Sequence, residues 1–244
     1  MGRAKDIVVK PIKAAVANRK CKEIHYSGKV VPNSQLHFGV FLDGKLEGVM
    51  QFGPSMVKKA TMTIVESTGF NEFIELNRMA FSDSLPKMSE SRAIGVAMRL
   101  IKKNYPQIKW VISFSDGTQC GDGAIYRASG FDLTQIKENS HLRIIPETGK
   151  PMQEMAAFHA GKTKDFKKWD KLKGFQLRYI YFIDKTYRDK LTVPILPFSE
   201  IDRRGARMYK GVSRVTKATS GDQLESGGAI PTSTLQSKAC NNAS

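Results

Sequence analysis

A tyrosine set three residues ahead of a Gly-Phe pair, Tyr126-Arg-Ala-Ser-Gly130-Phe131, follows the strand-like run Lys109-Trp-Val-Ile-Ser-Phe-Ser115. A tyrosine hydroxyl can donate a proton to a departing group. Gly130 can stop the short helix that carries Tyr126, because glycine reaches positive φ without steric cost. Asp116 stands at the carboxyl end of that strand, the place where α/β folds put ligands. A carboxylate there can orient or deprotonate an amine nucleophile; an aspartate before Gly117 also suits a helix cap. Tyr126 has a packing reading too, as a core aromatic whose hydroxyl finds a partner.

Three further groups could join them. His25-Tyr26-Ser27 follows the first helix, and a histidine there could serve as acid, base or metal ligand. Tyr26 could stack on an extruded base. In Glu75-Leu-Asn-Arg78, strand alternation would turn Glu75 and Asn77 one way and Arg78 the other. Solvent exposure would account for the polar residues of such a strand. His25, Asp116 and Tyr126 could also form an iron site, although their spacing does not demand one. His37 lies in an alternating strand and reads as structural. The run Arg203-Arg204-Gly-Ala-Arg207-Met-Tyr-Lys210 interleaves cations with Tyr209, as contact with backbone phosphates plus stacking requires. Lys162–Lys173, with Phe166 and Trp169, admits the same reading; a solvated surface is the alternative for both runs.

Composition bounds what these residues can do. The 244-residue chain is 41% hydrophobic and 9% aromatic, enough for a real core, and its 39 Lys and Arg against 23 Asp and Glu leave +16. That excess favours a polyanionic partner, since neutralised phosphates release counterions. Its three cysteines, Cys21, Cys120 and Cys240, are too far apart for a zinc cluster or a disulfide framework. No apolar run is long enough to span a membrane. The N-terminus lacks the apolar centre of a secretory signal, so the sequence reads as cytosolic.

The elements that must position the candidates follow in order. Pro11 to Lys22 reads as a helix opened by proline. Leu36–Leu42 and Leu46–Phe52 form a hairpin around Asp43-Gly44. Phe73–Phe81 is the next strand. Ser89–Asn104 is the clearest helix, with Ile94, Ala97, Met98 and Ile101 on one face. Strand Trp110–Ser115, a helix over residues 122–129, strand Phe131–Lys137 and strand Phe175–Ile183 complete the set. Residues 146–174 read as a Lys-rich insertion with a short helix near Met152–His159. From about residue 213 to 244 the composition is too poor in large apolar residues to fold. The expectation is an α/β (α+β) fold over residues 1–212, a mixed, mainly antiparallel central sheet flanked by helices.

The Tyr-x-x-x-Gly-Phe arrangement resembles the second acyl-CoA motif of the GNAT acyltransferase superfamily, in which the tyrosine hydroxyl faces the departing CoA sulfur. Arg92-Ala-Ile-Gly95-Val-Ala97 resembles the pyrophosphate motif of that superfamily, with Ser91 beside it. Amides at a helix N-terminus grip phosphate oxygens, and small residues admit the cofactor. The block Thr118-Gln-Cys-Gly-Asp-Gly-Ala-Ile-Tyr-Arg-Ala-Ser-Gly-Phe131 is more distinctive. With His25, Leu-Asn-Arg78-Met and Arg207-Met-Tyr-Lys210, it resembles the phage Mom DNA-modification family over about half the chain. That resemblance implies a GNAT-like fold, acetyl-CoA or a related acyl-CoA, and double-stranded DNA as substrate in the host cell cytoplasm. It implies an enzyme that converts adenine to its N6-carbamoylmethyl form and so hides phage DNA from restriction. Tyr126, Asp116, His25 and Arg78 become the expected catalytic residues and Ser91, Arg92, Gly95 and Ala97 the cofactor site. Tyr26, Arg203, Arg204, Arg207 and Lys210 become the DNA contacts. Two other readings stay open: an ordinary GNAT enzyme acylating a protein or small amine, and a non-catalytic DNA-binding module on that fold. The oligomeric state also stays open, a homodimer being one option.

Overall fold

A computed structural model of the chain describes residues 2–25, 27–117, 123–139, 141–172, 174–209 and 212–213. In chain order the strands are β1 (Val8–Pro11), β2 (Leu36–Leu42), β3 (Lys45–Gly53), β4 (Phe73–Phe81), β5 (Trp110–Asp116) and β6 (Asp132–Asn139). A small hairpin, β7 (Leu142–Ile144) and β8 (Pro151–Gln153), and the strand β9 (Gly174–Phe182) follow. Seven of these build one sheet in the order β1-β2-β3-β4-β5-β9-β6. Every neighbouring pair is antiparallel except β4 and β5. The expected mixed, mainly antiparallel sheet is therefore present.

Of the helices α1 (Ala14–Ile24), α2 (Lys58–Met62), α3 (Ser89–Asn104) and α4 (Ala124–Ala128), α1 and α3 cover opposite faces of the sheet. On α3, Ala93, Ile94, Ala97, Met98 and Ile101 recur at helical spacing, and all are buried against Phe52, Leu76, Met79 and Val111. On the other face Ala17 and Cys21 of α1 pack against Val49 and Ala80. The hairpin turn places both Asp43 and Gly44 at positive φ, 50° and 77°, the conformation that suits a two-residue connection. Beneath the start of β4, Phe73 stacks on Trp110 with ring centroids 4.5 Å apart.

Two expectations change. Pro11 does not open a helix; it closes β1, an edge strand in which its missing N–H does no harm, and the helix begins at Ala14. The insertion holds the short helix expected of it, but its aromatic rings are enclosed. Helices α5 (Glu154–His159) and α6 (Thr163–Phe166) fold over the β7–β8 hairpin around a small core of Ala157, Phe166 and Trp169. The rings of Phe166 and Trp169 thus face inward and are not available to stack on bases, while Lys162, Lys164, Lys167, Lys168 and Lys171 remain exposed. The expected disorder after residue 213 falls outside the described residues.

Candidate active site

The only parallel pair in the seven-stranded sheet comes apart. β4 and β5 pair from Phe73↔Trp110 to Glu75↔Ile112, yet β4 continues to Phe81 and β5 to Asp116. Past that last rung each strand pairs, among the described residues, with its outer neighbour, β3 or β9. A gap therefore opens in the middle of the sheet. The Ser113 hydroxyl spans its narrow end, donating to the Leu76 carbonyl at 3.3 Å. Ser113 also lies 2.9 Å from the Tyr126 hydroxyl. Because a serine has one proton and spends it on Leu76, Tyr126 is the donor in that second bond. The result is a relay, Tyr126 to Ser113 to the Leu76 carbonyl, at the point where the strands part.

Tyr126 rides on α4 (Ala124–Ala128) and is fully buried. It stacks on Tyr179 of β9, centroids 4.5 Å apart at 13°, and meets the edge of Phe131 at 5.3 Å. Gly123 enters the helix at φ 64°, and any Cβ there would overlap the Tyr179 hydroxyl. Gly130 leaves it at φ 79°, as the sequence predicts, and the Phe131 amide returns to the Tyr126 carbonyl at 3.0 Å. Tyr126 is thus a packed core aromatic whose hydroxyl also finds a partner.

Arg78 and Asp116 reach the gap from the other face. Strand alternation alone would separate Arg78 from Glu75, but a bulge breaks it. Phe52 pairs with Leu76 and Gln51 with Arg78, which leaves Asn77 as the extra residue. Directly paired residues share a face. Leu76 and Met79 thus join the α3-side core, and Arg78 turns to the α1 side with Glu75. Burial pushes the Cys21 thiol and the Glu75 carboxyl up, against the lowering effect of the Arg78 charge that both of them feel. The neighbouring Ser55 and Asn77 side chains also favour the Glu75 carboxylate, without outweighing its burial. Asp116, 6% exposed, alternates with Ile112 and so faces the same side as Arg78, 3% exposed. Arg78 stands three residues beyond the last β4–β5 rung and Asp116 four, so the two flank the gap at nearly one level.

His25 caps α1 and is buried on this face. Its Nδ1 accepts the Ser27 amide at 3.1 Å and lies 2.8 Å from the Ser27 hydroxyl. With that lone pair occupied, the neutral ring carries its proton on Nε2 and acts there as a donor. A metal-bound imidazole has the reverse arrangement, donating from its second nitrogen to an acceptor. Among the described residues, moreover, no three His, Cys, Asp or Glu side chains are grouped to hold a metal. The iron reading is therefore not carried further. His37 is also buried, 3.2 Å from Gln51 Nε2, which donates to Asn18 at 2.7 Å as well. Desolvation lowers the His37 pKa, as suits the neutral structural residue expected.

The loop after β4 leads into the N-terminus of α3. Ser91 and Arg92 lie in its first turn, where the Ser91 hydroxyl donates to the Met88 carbonyl at 3.2 Å and the Arg92 guanidinium to the Lys5 carbonyl at 3.2 Å. A side chain at Gly95 would meet nothing nearer than Arg99 at 3.8 Å, so the backbone there borders open space. Ala97 is enclosed in the core. The Ser89 amide is bonded to the Pro86 carbonyl and that of Arg92 to Met88, so the Glu90 and Ser91 amides, beside an open backbone, are the ones that could meet a pyrophosphate.

The basic run is partly occupied within itself. On α7 (Ser199–Arg203), Glu200 accepts from Arg203 at 2.5 and 2.7 Å and from Arg204 at 3.1 Å, and the Arg203 bond contributes most to lowering its pKa to about 2. Arg207 lies 3.8 Å from Asp202. Tyr26, Lys210 and residues 118–122, where a cap by Asp116 would fall, lie outside the described residues. Sequence reasoning missed Ser113 and Tyr179 as site residues. The alternation Val111, Ser113, Ser115 was the available signal for Ser113, since it puts a hydroxyl on the buried α3 side.

Sheet, helices and parted strands define a mixed α/β protein with its candidate chemistry at a gap in the sheet. The chain belongs to the Mom protein family, whose profile matches residues 6–200. It is 33% identical over 198 residues to the methylcarbamoylase mom of Escherichia phage Mu, covering 79% of this chain and 82% of that protein. Among solved structures it is similar to a Bacillus acetyltransferase in complex with CoA (TM-score 0.46, 12% identity, 72% of this chain and 98% of that one). It is also similar to the ribosomal-protein-S18-alanine N-acetyltransferase of Escherichia coli (TM-score 0.44, 8% identity, 72% and 94%).

Proposed function

We propose that this protein converts adenine in double-stranded phage DNA, in the host cytoplasm, to its N6-carbamoylmethyl form. Restriction enzymes that read the adenine amine in the major groove would then lose their contact. The observation that carries this reading is the gap between β4 and β5. A buried carboxylate and guanidinium flank it on one side and a tyrosine–serine relay closes it on the other, all within the part of the chain matched by the family.

Adenine's exocyclic nitrogen is a poor nucleophile because its lone pair is delocalised into the ring. It must lose a proton as its new bond forms. Asp116 is the acceptor, buried on the α1 side where the base would enter. Arg78 holds the negative charge that develops on the transferred group's carbonyl oxygen, and the dry surroundings strengthen that interaction. His25 presents an Nε2–H donor to the same side. From the α3 side, Tyr126 donates its proton to the departing group, with Ser113 and the Leu76 carbonyl as its resting partners.

Ser91, Arg92 and Gly95 at the N-terminus of α3 would hold the pyrophosphate of an acyl-CoA, which supplies an activated acyl group when bound. The +16 charge suits DNA as the partner. Acyl transfer from a glycyl donor would by itself leave N6–CO–CH2–NH2. The product N6–CH2–CO–NH2 is its isomer, so a rearrangement that moves N6 from the carbonyl carbon to the methylene carbon and the glycyl nitrogen to the carbonyl, with no atom gained or lost, must follow, and mass alone cannot separate the two. The experiment is to digest DNA from cells that express the protein and to resolve the nucleosides by chromatography against both standards before weighing them. N6-carbamoyl-methylated adenosine supports the proposal. The glycyl isomer, or an acetyl group with its different mass, would identify an ordinary acyl transfer, and unmodified adenine would refute the reading.

A further inference from the structure

At the foot of the gap, an apolar tip stands out from an otherwise anchored loop. Met56 is 75% and Val57 64% exposed, although they lie between the buried Ser55 and Thr61. Everything around them is fixed. A Cβ on Gly53 would come within 2.5 Å of Asn77 Oδ1 and 2.7 Å of the Asn33 carbonyl, so β3 ends in a tightly closed position. Asn33 donates to the Pro54 carbonyl at 3.1 Å. Ser55 and Thr61 hydroxyls meet at 3.1 Å, and Thr61 donates to the Val57 carbonyl at 3.2 Å. Gly53, where β3 ends, pairs with Glu75, the last residue of β4 that pairs with β5. Arg78 is three residues further along that strand, about 10 Å at 3.3 Å per residue.

Cations flank the tip. Lys58 and Lys59 follow it directly, and the Lys58 ammonium sits 3.5 Å from the ring centroid of Phe70, itself 60% exposed. Exposed apolar side chains are normally scattered. Here Met56, Val57 and Phe70 gather around lysines on a rigid base at the closed end of the gap, about 10 Å along β4 from Arg78. This combination matches the demands of a DNA duplex. Lysines neutralise its phosphates, and an apolar wedge fills the space left in the stack when a base leaves it.

Resting on the functional reading above, we propose that Met56 and Val57 form the wedge that takes the place of the target adenine when it swings out of the duplex. An enzyme that modifies N6 inside a pocket must extrude the base. Without the wedge, the cost of unstacking is not offset.

The test is the double substitution M56S/V57S, at two exposed positions whose replacement leaves the melting temperature unchanged. One arm follows the fluorescence of 2-aminopurine at the target position of a duplex, paired with thymine or opposite an abasic site. Wild type is expected to raise the signal in both duplexes. The variant should lose the rise in the paired duplex and keep it opposite the abasic site, where the base is already free. A second arm measures modified adenine in cells, which should fall roughly tenfold or more in the variant. Equal fluorescence from variant and wild type in the paired duplex, or loss in both duplexes alike, overturns the wedge. Absence of modified adenine from wild-type cells refutes the functional reading instead, and the fluorescence arm judges the tip independently of it.

Discussion

Gly123→Ala separates two physical costs that coincide at the turn before Tyr126. The residue adopts φ 64°, and its added methyl would overlap the Tyr179 hydroxyl and lie 2.6 Å from Cζ of that ring. A Cβ in the left-handed region costs about 1–2 kcal/mol. Displacing a packed ring adds about 1–3 kcal/mol. The sum is roughly 2–5 kcal/mol, against a domain stability of about 5–15 kcal/mol. Gly149→Ala is the control, since Gly149 has φ 63° with nothing within 4 Å of the added atom, so only the backbone cost applies. Urea denaturation reads both as shifts in midpoint at constant slope. Gly123→Ala should lose more than Gly149→Ala by about the packing cost. It should also lower the yield of modified adenine, because Tyr179 stacks directly on Tyr126. Equal losses in the two variants would show that Tyr179 yields freely and that the stack does not position Tyr126.

Other consequences follow from the same geometry. Arg92→Ala should weaken acyl-CoA binding in calorimetry by about tenfold, the range of a lost charge-assisted contact; unchanged affinity would move the pyrophosphate elsewhere. Affinity for duplex DNA should fall at least about tenfold between roughly 50 and 200 mM salt, as counterion release requires; a flat dependence would refute phosphate contact. Burial raises the Glu75 pKa above its ordinary 4.5, so its ionisation opposes folding and the protonated state is favoured. Stability linked to Glu75 is thus present below pH 4.5 and declines as pH rises through the elevated folded value. Glu75→Gln should therefore gain stability relative to wild type between pH 4 and pH 7 in thermal melts; a widening loss over that range would contradict the assignment.

Much of this architecture is legible in the sequence because it follows from local rules. The Asp43-Gly44 turn, the apolar stripe of α3 and the Gly130 stop each depend on a few neighbouring residues. What the sequence hides is non-local. Pro11 belongs to a strand because β2 lies beside it, and helix propensity cannot see that pairing. Arg78 shares a face with Glu75 because β3 places a bulge opposite Asn77. The Lys-rich insertion turns Phe166 and Trp169 inward because the hairpin and two short helices enclose them. At the site, Asp116 and Tyr126 are visible as residue types in a telling order. Their approach to one gap from opposite faces depends on where β4 and β5 stop pairing, and no spacing along the chain encodes that.

The most direct test compares DNA nucleosides from cells expressing wild type, Asp116→Asn or Tyr126→Phe, with protein stability measured alongside. Each change keeps the side chain's shape. Loss of the Tyr126 hydroxyl removes one hydrogen bond and should cost only about 0.5–1.5 kcal/mol of stability. If Asp116 takes the proton of the amine and Tyr126 supplies one to the departing group, each variant should fall about a hundredfold or more in N6-carbamoylmethyladenine. Folded variants that modify DNA at the wild-type level would contradict the account and leave Asp116 and Tyr126 as structural residues.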